Sequence, residues 1–188
     1  MFRLFCKFVF WIWGWKVGPW NVKGLKKYVI IAVPHTSNWD FIIAIAVFSH
    51  LKIPLRFTIK QAWLKFPFGL IVKPLGAIGI NRKKSQGMVD NMVNILNNTE
   101  GEMALVVTPE GTRSKVEKWK TGFYHIALKA NVPIALGYAD YAKKEAGVGK
   151  IFYPTGDMKK DLKEIIDFYK TVTPKHPSSS SLSYELIT

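Results

Sequence analysis

The chain has 188 residues, 48% of them hydrophobic, which is enough for one domain with a sizeable core and too few for two ordinary ones. Its 27 Lys+Arg against 13 Asp+Glu give a formal charge of +14, a balance that suits an anionic partner: a nucleic acid, a phospholipid surface or acidic soluble ligands. The single cysteine, Cys6, excludes an intramolecular disulfide and a multi-cysteine zinc site, and no uncharged apolar stretch approaches the roughly 18 residues of a transmembrane helix.

Trp11, Trp13, Trp15 and Trp20 crowd into the first twenty residues. The segment has the basic start of a signal peptide but no small-residue cleavage site, so it is expected to be retained. Arg3 and Lys7 share one helical face, while Phe2, Phe5, Val9, Ile12 and Trp13 cover much of the rest, as in a helix lying in a membrane interface; a buried core helix is the alternative. Cys6 sits there without a neighbouring base and is expected simply to pack.

Tyr28 to Val33 reads as a buried strand, and the polar turn His35-Thr36-Ser37-Asn38 leads into a helix from about Trp39 to Leu51, with Ser37 or Asn38 as its cap. A short strand is expected at Leu55 to Ile59. Loops and a short helix then lead to another strand at Ala77 to Ile80. Ser85 opens a helix with inward Met88, Met92, Val93, Ile95 and Leu96 that stops at Asn98. Met103 to Val107 is the clearest buried strand, followed by a helix over Gly122 to Lys129, a strand over Val132 to Tyr138 and an amphipathic helix over Asp157 to Lys170. Strands alternating with helices predict a single α/β domain over 23–172, with a mainly parallel sheet flanked by helices. It is preceded by an N-terminal amphipathic membrane-associating segment over 1–22. Residues 173–188, with a serine run and little periodicity, are expected to be disordered.

Three polar groups fall at predicted strand ends, where open α/β sheets place their ligands. On a continuous helix His35 and Asp40 would point about 140° apart, so they meet only if the turn after Pro34 is non-helical. The carboxylate would then fix one imidazole nitrogen and leave the other basic, although structural polar pairs share this spacing. Glu110, Gly111, Thr112 and Arg113 follow the strand at 103–107 and suit a phosphorylated polyol, with Arg113 forking to phosphate; a salt-bridged turn is the alternative. Lys60 and Arg82 stand beside apolar loops as further basic groups or ordinary surface charges.

The order His35-Thr-Ser-Asn-Trp-Asp40, Gly76-Ala-Ile-Gly-Ile-Asn-Arg82, Pro109-Glu-Gly-Thr-Arg113 and Val132-Pro-Ile resembles the four blocks of the glycerolipid acyltransferases typified by 1-acylglycerol-3-phosphate acyltransferase. The resemblance covers roughly Tyr28 to Leu136, and Lys60, Leu64, Pro67 and Gly69 fall where that family has its Lys-Leu-Pro-Gly segment. It implies His35 as the base for an acceptor hydroxyl, Asp40 as its partner, and Lys60, Arg82, Glu110, Gly111, Thr112 and Arg113 as holders of a lysophospholipid. The acyl donor would be acyl-coenzyme A or acyl carrier protein, with no metal or other cofactor. The protein would work as a monotopic peripheral enzyme on the cytoplasmic face of the cell membrane. Gly79-Ile80-Asn81 and Leu136 depart from the family's usual second and fourth blocks, which bears on the acceptor more than on the chemistry.

Two other classes compete. A basic, non-enzymatic module binding anionic lipid or nucleic acid would explain the charge, but the aromatics do not interleave with Lys and Arg on strands, so no nucleic-acid partner is expected. A metal-dependent hydrolase would need more ligands than the scattered His50, His125 and His176 provide.

Overall fold

The computed structural model describes residues 1–22, 24–80 and 87–183. Helical and strand segments alternate: α1 (Phe2–Ile12), β1 (Lys16–Trp20), β2 (Lys27–Ala32), α2 (Trp39–His50), β3 (Leu55–Lys60), a 3-10 turn (Gln61–Leu64), α3 (Gly69–Val72), β4 (Ala77–Ile80), α4 (Met88–Asn98), β5 (Met103–Val107), α5 (Gly122–Ala130), β6 (Ile134–Asp140), β7 (Glu145–Phe152) and α6 (Met158–Tyr169). The strands form one seven-stranded sheet in the order β1-β7-β6-β2-β5-β3-β4. All neighbours are parallel except β6 and β7. The expected α/β domain with a mainly parallel, helix-flanked sheet is therefore what the chain forms.

Successive side chains of a strand point to opposite faces, so a central strand covered on both sides must be apolar throughout. In β2, Val29 and Ile31 join the layer of α4, α5 and α6, while Tyr28 and Ile30 join the layer of α1 and α2. Met103 and Leu105 of β5, and Ile134 and Leu136 of β6, face the first layer; small Ala104 and Ala135 face the second. Tyr169 pins α6 to the sheet by donating its hydroxyl to the carbonyls of Ile31 and Gly137 at 2.9 and 3.0 Å.

Two expectations change. Residues 1–22 are not a separate unit: β1 pairs with β7, Cys6, Val9 and Phe10 are buried, and Trp15 packs edge-on to Tyr141 with ring centroids 4.9 Å apart. Neither β1 nor β7 stands out in the sequence, since Gly18, Pro19, Gly147 and Gly149 read as turn formers. They are there because other groups come close, a Cβ at Gly147 falling 2.6 Å from the carbonyl oxygen of Pro19. The segment expected to be disordered from Thr173 is docked as far as Ser183. Tyr141 N donates to Thr173 O at 2.9 Å, His176 N to Thr36 Oγ1 at 3.2 Å, and Trp119 Nε1 to Ser181 O at 2.9 Å. Those partners come from distant loops, so no local periodicity announces them. Ser85, the expected start of a helix, lies outside the described residues; the helix is described from Met88 to Asn98.

Candidate active site

β2 ends at Ala32, and the next residues run as an irregular turn into α2. The expected cap is different in detail: Ser37 Oγ accepts from Trp39 N at 3.2 Å, and Asn38 makes no capping bond with its side chain. Asp40, in the first turn, curls back instead. Its Oδ2 accepts from the backbone amides of Thr36 and Ser37, both at 2.9 Å, where the helix dipole favours a negative charge. The same Oδ2 lies 3.2 Å from His35 Nδ1. The non-helical turn thus brings together the two residues that five helical steps would have separated.

The other carboxylate oxygen has its own donor. Tyr141 OH, in the β6–β7 hairpin turn and on the same face of the sheet, donates to Asp40 Oδ1 at 2.6 Å. Burial, then the Asp40 carboxylate, pushes the Tyr141 phenol well above its ordinary value, so it remains a donor. This positioning residue carries no local sequence signal, being one hundred and one positions away from its partner. Tyr141→Phe is expected to lower kcat by about 3- to 30-fold with a small change in KM, the scale of one hydrogen bond to a charged group. A matching rise in KM, or a loss of activity that tracks a loss of folded protein, would reduce Tyr141 to a packing role.

Glu110 is turned inward. It is buried at 3% exposure, and its Oε2 accepts from the His35 backbone amide at 2.7 Å, tying the loop after β5 to the His35–Asp40 turn. Burial pushes its carboxyl up from 4.5 to about 7, outweighing the amide and the charge of His35. The unfolded chain releases this proton near 4.5 and the folded protein near 7, so stability falls as pH rises through that window and is level above it. The loss is on the order of 3 kcal/mol. Melting temperatures of wild type and Glu110→Gln should therefore diverge, the wild type losing ground from about pH 4.5 to 7. A constant gap across that range would mean that Glu110 titrates like an exposed acid.

Gly111 adopts φ +65°, and a Cβ there would fall 2.9 Å from Lys120 Nζ, so the Lys120 side chain lies directly over the glycine. Thr112 and Arg113 are exposed beyond it. Lys60, at the carboxyl end of β3, is exposed as well. The sheet order β2-β5-β3 puts His35, the Gly111–Arg113 loop and Lys60 beyond the same ends of three adjacent parallel strands. At about 4.8 Å per strand, Lys60 stands on the order of 10 Å from the His35 row. Arg82 lies outside the described residues. Cys6, fully buried with its thiol pushed up to about 11 by burial, takes no part.

Beside His35 and Asp40 a shallow cleft, part of it open to solvent and with room for about 50 Å³ in its enclosed part, runs between α2 and strands β2, β6 and β7. Ala32, Ile43, Ala44, Val47, Gly137 and Ala146 are among its mostly apolar lining. The site therefore joins an imidazole–carboxylate pair, a basic row and an apolar cleft.

A family model described as Acyltransferase matches residues 18–135, well over half of the chain. The chain belongs to the acyltransferase family. Among solved structures it is similar to the 1-acyl-sn-glycerophosphate (LPA) acyltransferase, PlsC, from Thermotoga maritima. The TM-score is 0.66 at 20% identity, covering 90% of this chain and 76% of that one, a likeness of fold. No curated protein matches the chain significantly. The match of this acyltransferase begins inside β1 and ends within β6, so it includes the His35–Asp40 turn and the Glu110–Arg113 loop and leaves out Tyr141 and the docked C-terminal segment.

Proposed function

We propose that this acyltransferase moves a fatty acyl group from acyl-coenzyme A or acyl carrier protein to the hydroxyl of a lysophospholipid such as 1-acylglycerol-3-phosphate. The observation that carries the reading is His35 Nδ1 held 3.2 Å from Asp40 Oδ2 at the mouth of an apolar cleft. Nδ1–H is committed to the carboxylate, and Nε2 takes the hydroxyl proton. The acceptor oxygen attacks the thioester carbonyl, the carbon–sulfur bond breaks, and the leaving thiolate recovers the proton from His35. No acyl-enzyme is needed. Arg113, Lys60 and Arg82 would hold the acceptor phosphate, while Glu110 supports the catalytic turn from behind and Gly111 lets the loop lie under Lys120. The acceptor named for the Thermotoga maritima protein agrees with this choice.

Both substrates carry acyl chains, so the enzyme must meet a bilayer. Among the described residues no helix is long and apolar enough to cross one. α1 packs inward through Cys6, Val9 and Phe10 and leaves Leu4, Phe5, Phe8 and Trp11 more than half exposed, which fits a helix lying in one leaflet at the cytoplasmic face. Because deleting α1 would open the core, outward substitutions test it better. Phe8→Ser with Trp11→Ser should weaken binding to anionic vesicles and depress turnover of membrane-embedded acceptor, while sparing a short-chain soluble acceptor. Unchanged vesicle binding would place the contact elsewhere.

The reaction itself is tested by offering purified protein a panel of lysolipids with each donor and identifying acylated products by mass spectrometry. A phosphate-bearing lysolipid should be acylated fastest. Failure to acylate any acceptor, with retained binding to anionic lipid, would turn the reading toward a lipid-binding module.

A further inference from the structure

The uncovered apolar surface is not confined to α1. The 3-10 turn and α3 form a second limb beside β3 and β4, where Trp63 is 52%, Phe66 83%, Phe68 54% and Leu70 70% exposed. The limb has a defined shape. The rings of Trp63 and Phe68 pack at 5.2 Å, and a Cβ at Gly69 would fall 2.1 Å from the carbonyl oxygen of Leu64, so the turn closes tightly on α3.

This limb is joined to α1. Leu75, just past α3, is buried in the same layer as Cys6 and Phe10, and Arg3 Nη2 donates to Pro74 O at 3.4 Å. At its other end α1 meets the catalytic turn, with Trp13 edge-on to Trp39 at 4.5 Å. Charge follows the same division. From Met1 to Val89 the sequence contains one acidic residue, Asp40, already engaged by His35 and Tyr141, so nearly all of the +14 belongs to that half of the chain. Lys60, Lys65 and Lys73 lie on or beside the limb, all exposed. Exposed aliphatic and aromatic side chains rimmed by lysine, without acids, match an anionic bilayer: the rings and Leu70 enter the acyl boundary while the ammonium groups stay among the headgroups. Aliphatic groups such as Leu70 and Ile71 offer nothing for stacking on nucleic-acid bases.

We propose that the segment from Trp63 to Ile71 is a second membrane-docking limb, which enters an anionic lipid bilayer beside α1. The account rests on the reading of α1 as a bilayer contact. Two points of attachment would fix the tilt of the domain, and Lys60, at the root of the limb, would then sit at headgroup level, where a lysolipid phosphate lies.

The test uses the full chain labelled at single introduced thiols with an environment-sensitive fluorophore; Cys6 is fully buried and leaves the new thiol as the reactive one. Labels go at Phe66→Cys on the limb, Phe8→Cys on α1 and Leu128→Cys on the opposite layer. Vesicles are phosphatidylcholine with about one-quarter phosphatidylglycerol, with and without spin-labelled acyl chains as quencher. The expected result is a blue shift and lipid quenching at positions 66 and 8 and neither at 128. Unlabelled Phe66→Ser/Phe68→Ser should bind these vesicles on the order of tenfold more weakly than wild type. If position 8 inserts and position 66 stays as wet as 128, the second limb is overturned and the α1 contact stands. Insertion at neither position overturns both. A blue shift at 66 that grows with protein concentration in the absence of lipid would show a second copy of the chain covering the limb, which also overturns the proposal.

Discussion

His35→Ala is expected to lower kcat by about 10²–10⁴-fold, the range for losing a positioned general base. The imidazole is the group whose Nδ1 lies 3.2 Å from Asp40 Oδ2, and its Nε2 finds no protein partner among the described residues. Removing it leaves the backbone bond from His35 N to Glu110 Oε2 in place, and the side chain is partly exposed, so the fold should survive. Circular dichroism and melting temperature establish the folded state, and single-turnover kinetics with a soluble short-chain acceptor then read the chemical step without membrane binding. Asp40→Asn should come close to the same loss. An amide in place of the carboxylate accepts at one atom only, while the Thr36 and Ser37 amides, Tyr141 and His35 all turn to this side chain. A well-folded His35→Ala protein with near-normal turnover would sink the proposed mechanism.

Arg113→Ala is expected to reduce kcat/KM for a phosphate-bearing lysolipid by about 10- to 100-fold, the worth of a charge-assisted guanidinium–phosphate contact. Its side chain is exposed beyond Gly111 and makes no ion pair among the described residues, so a neighbouring acid is not what keeps it there. A lysolipid without phosphate should lose far less, because no anion would be left unpaired in the variant. Lys60→Ala should move in the same direction by a smaller factor, an ammonium being a point charge rather than a fork. Measuring both acceptors with both variants separates phosphate recognition from loop damage. Equal losses on the two acceptors would make Arg113 a structural residue.

The sequence by itself determined the layers, and it marked the two polar turns at strand ends. Runs such as Tyr28 to Val33 and Met103 to Val107 are apolar at every position because both faces of those strands are covered, and that is a local signal. The His35–Asp40 and Glu110–Arg113 segments were legible because each lies in one short stretch after a strand. What each residue does there was less legible, since the orientation of a side chain depends on distant partners. Glu110 reads as a ligand group beside Arg113, yet the loop turns it inward to the His35 amide. Tyr141 completes the Asp40 carboxylate from the turn after the neighbouring strand β6, and the segment from Thr173 to Ser183 becomes ordered by contacts with Thr36, Val116, Trp119 and Tyr141. The glycines of β1 and β7 look like breaks in isolation; pairing with neighbouring strands makes them strand residues, and neighbouring backbone and side chains lie too close for a Cβ. Local periodicity records which faces are buried. Pairings across many tens of residues follow from how the strands are ordered in the sheet, and only the tertiary structure decided those.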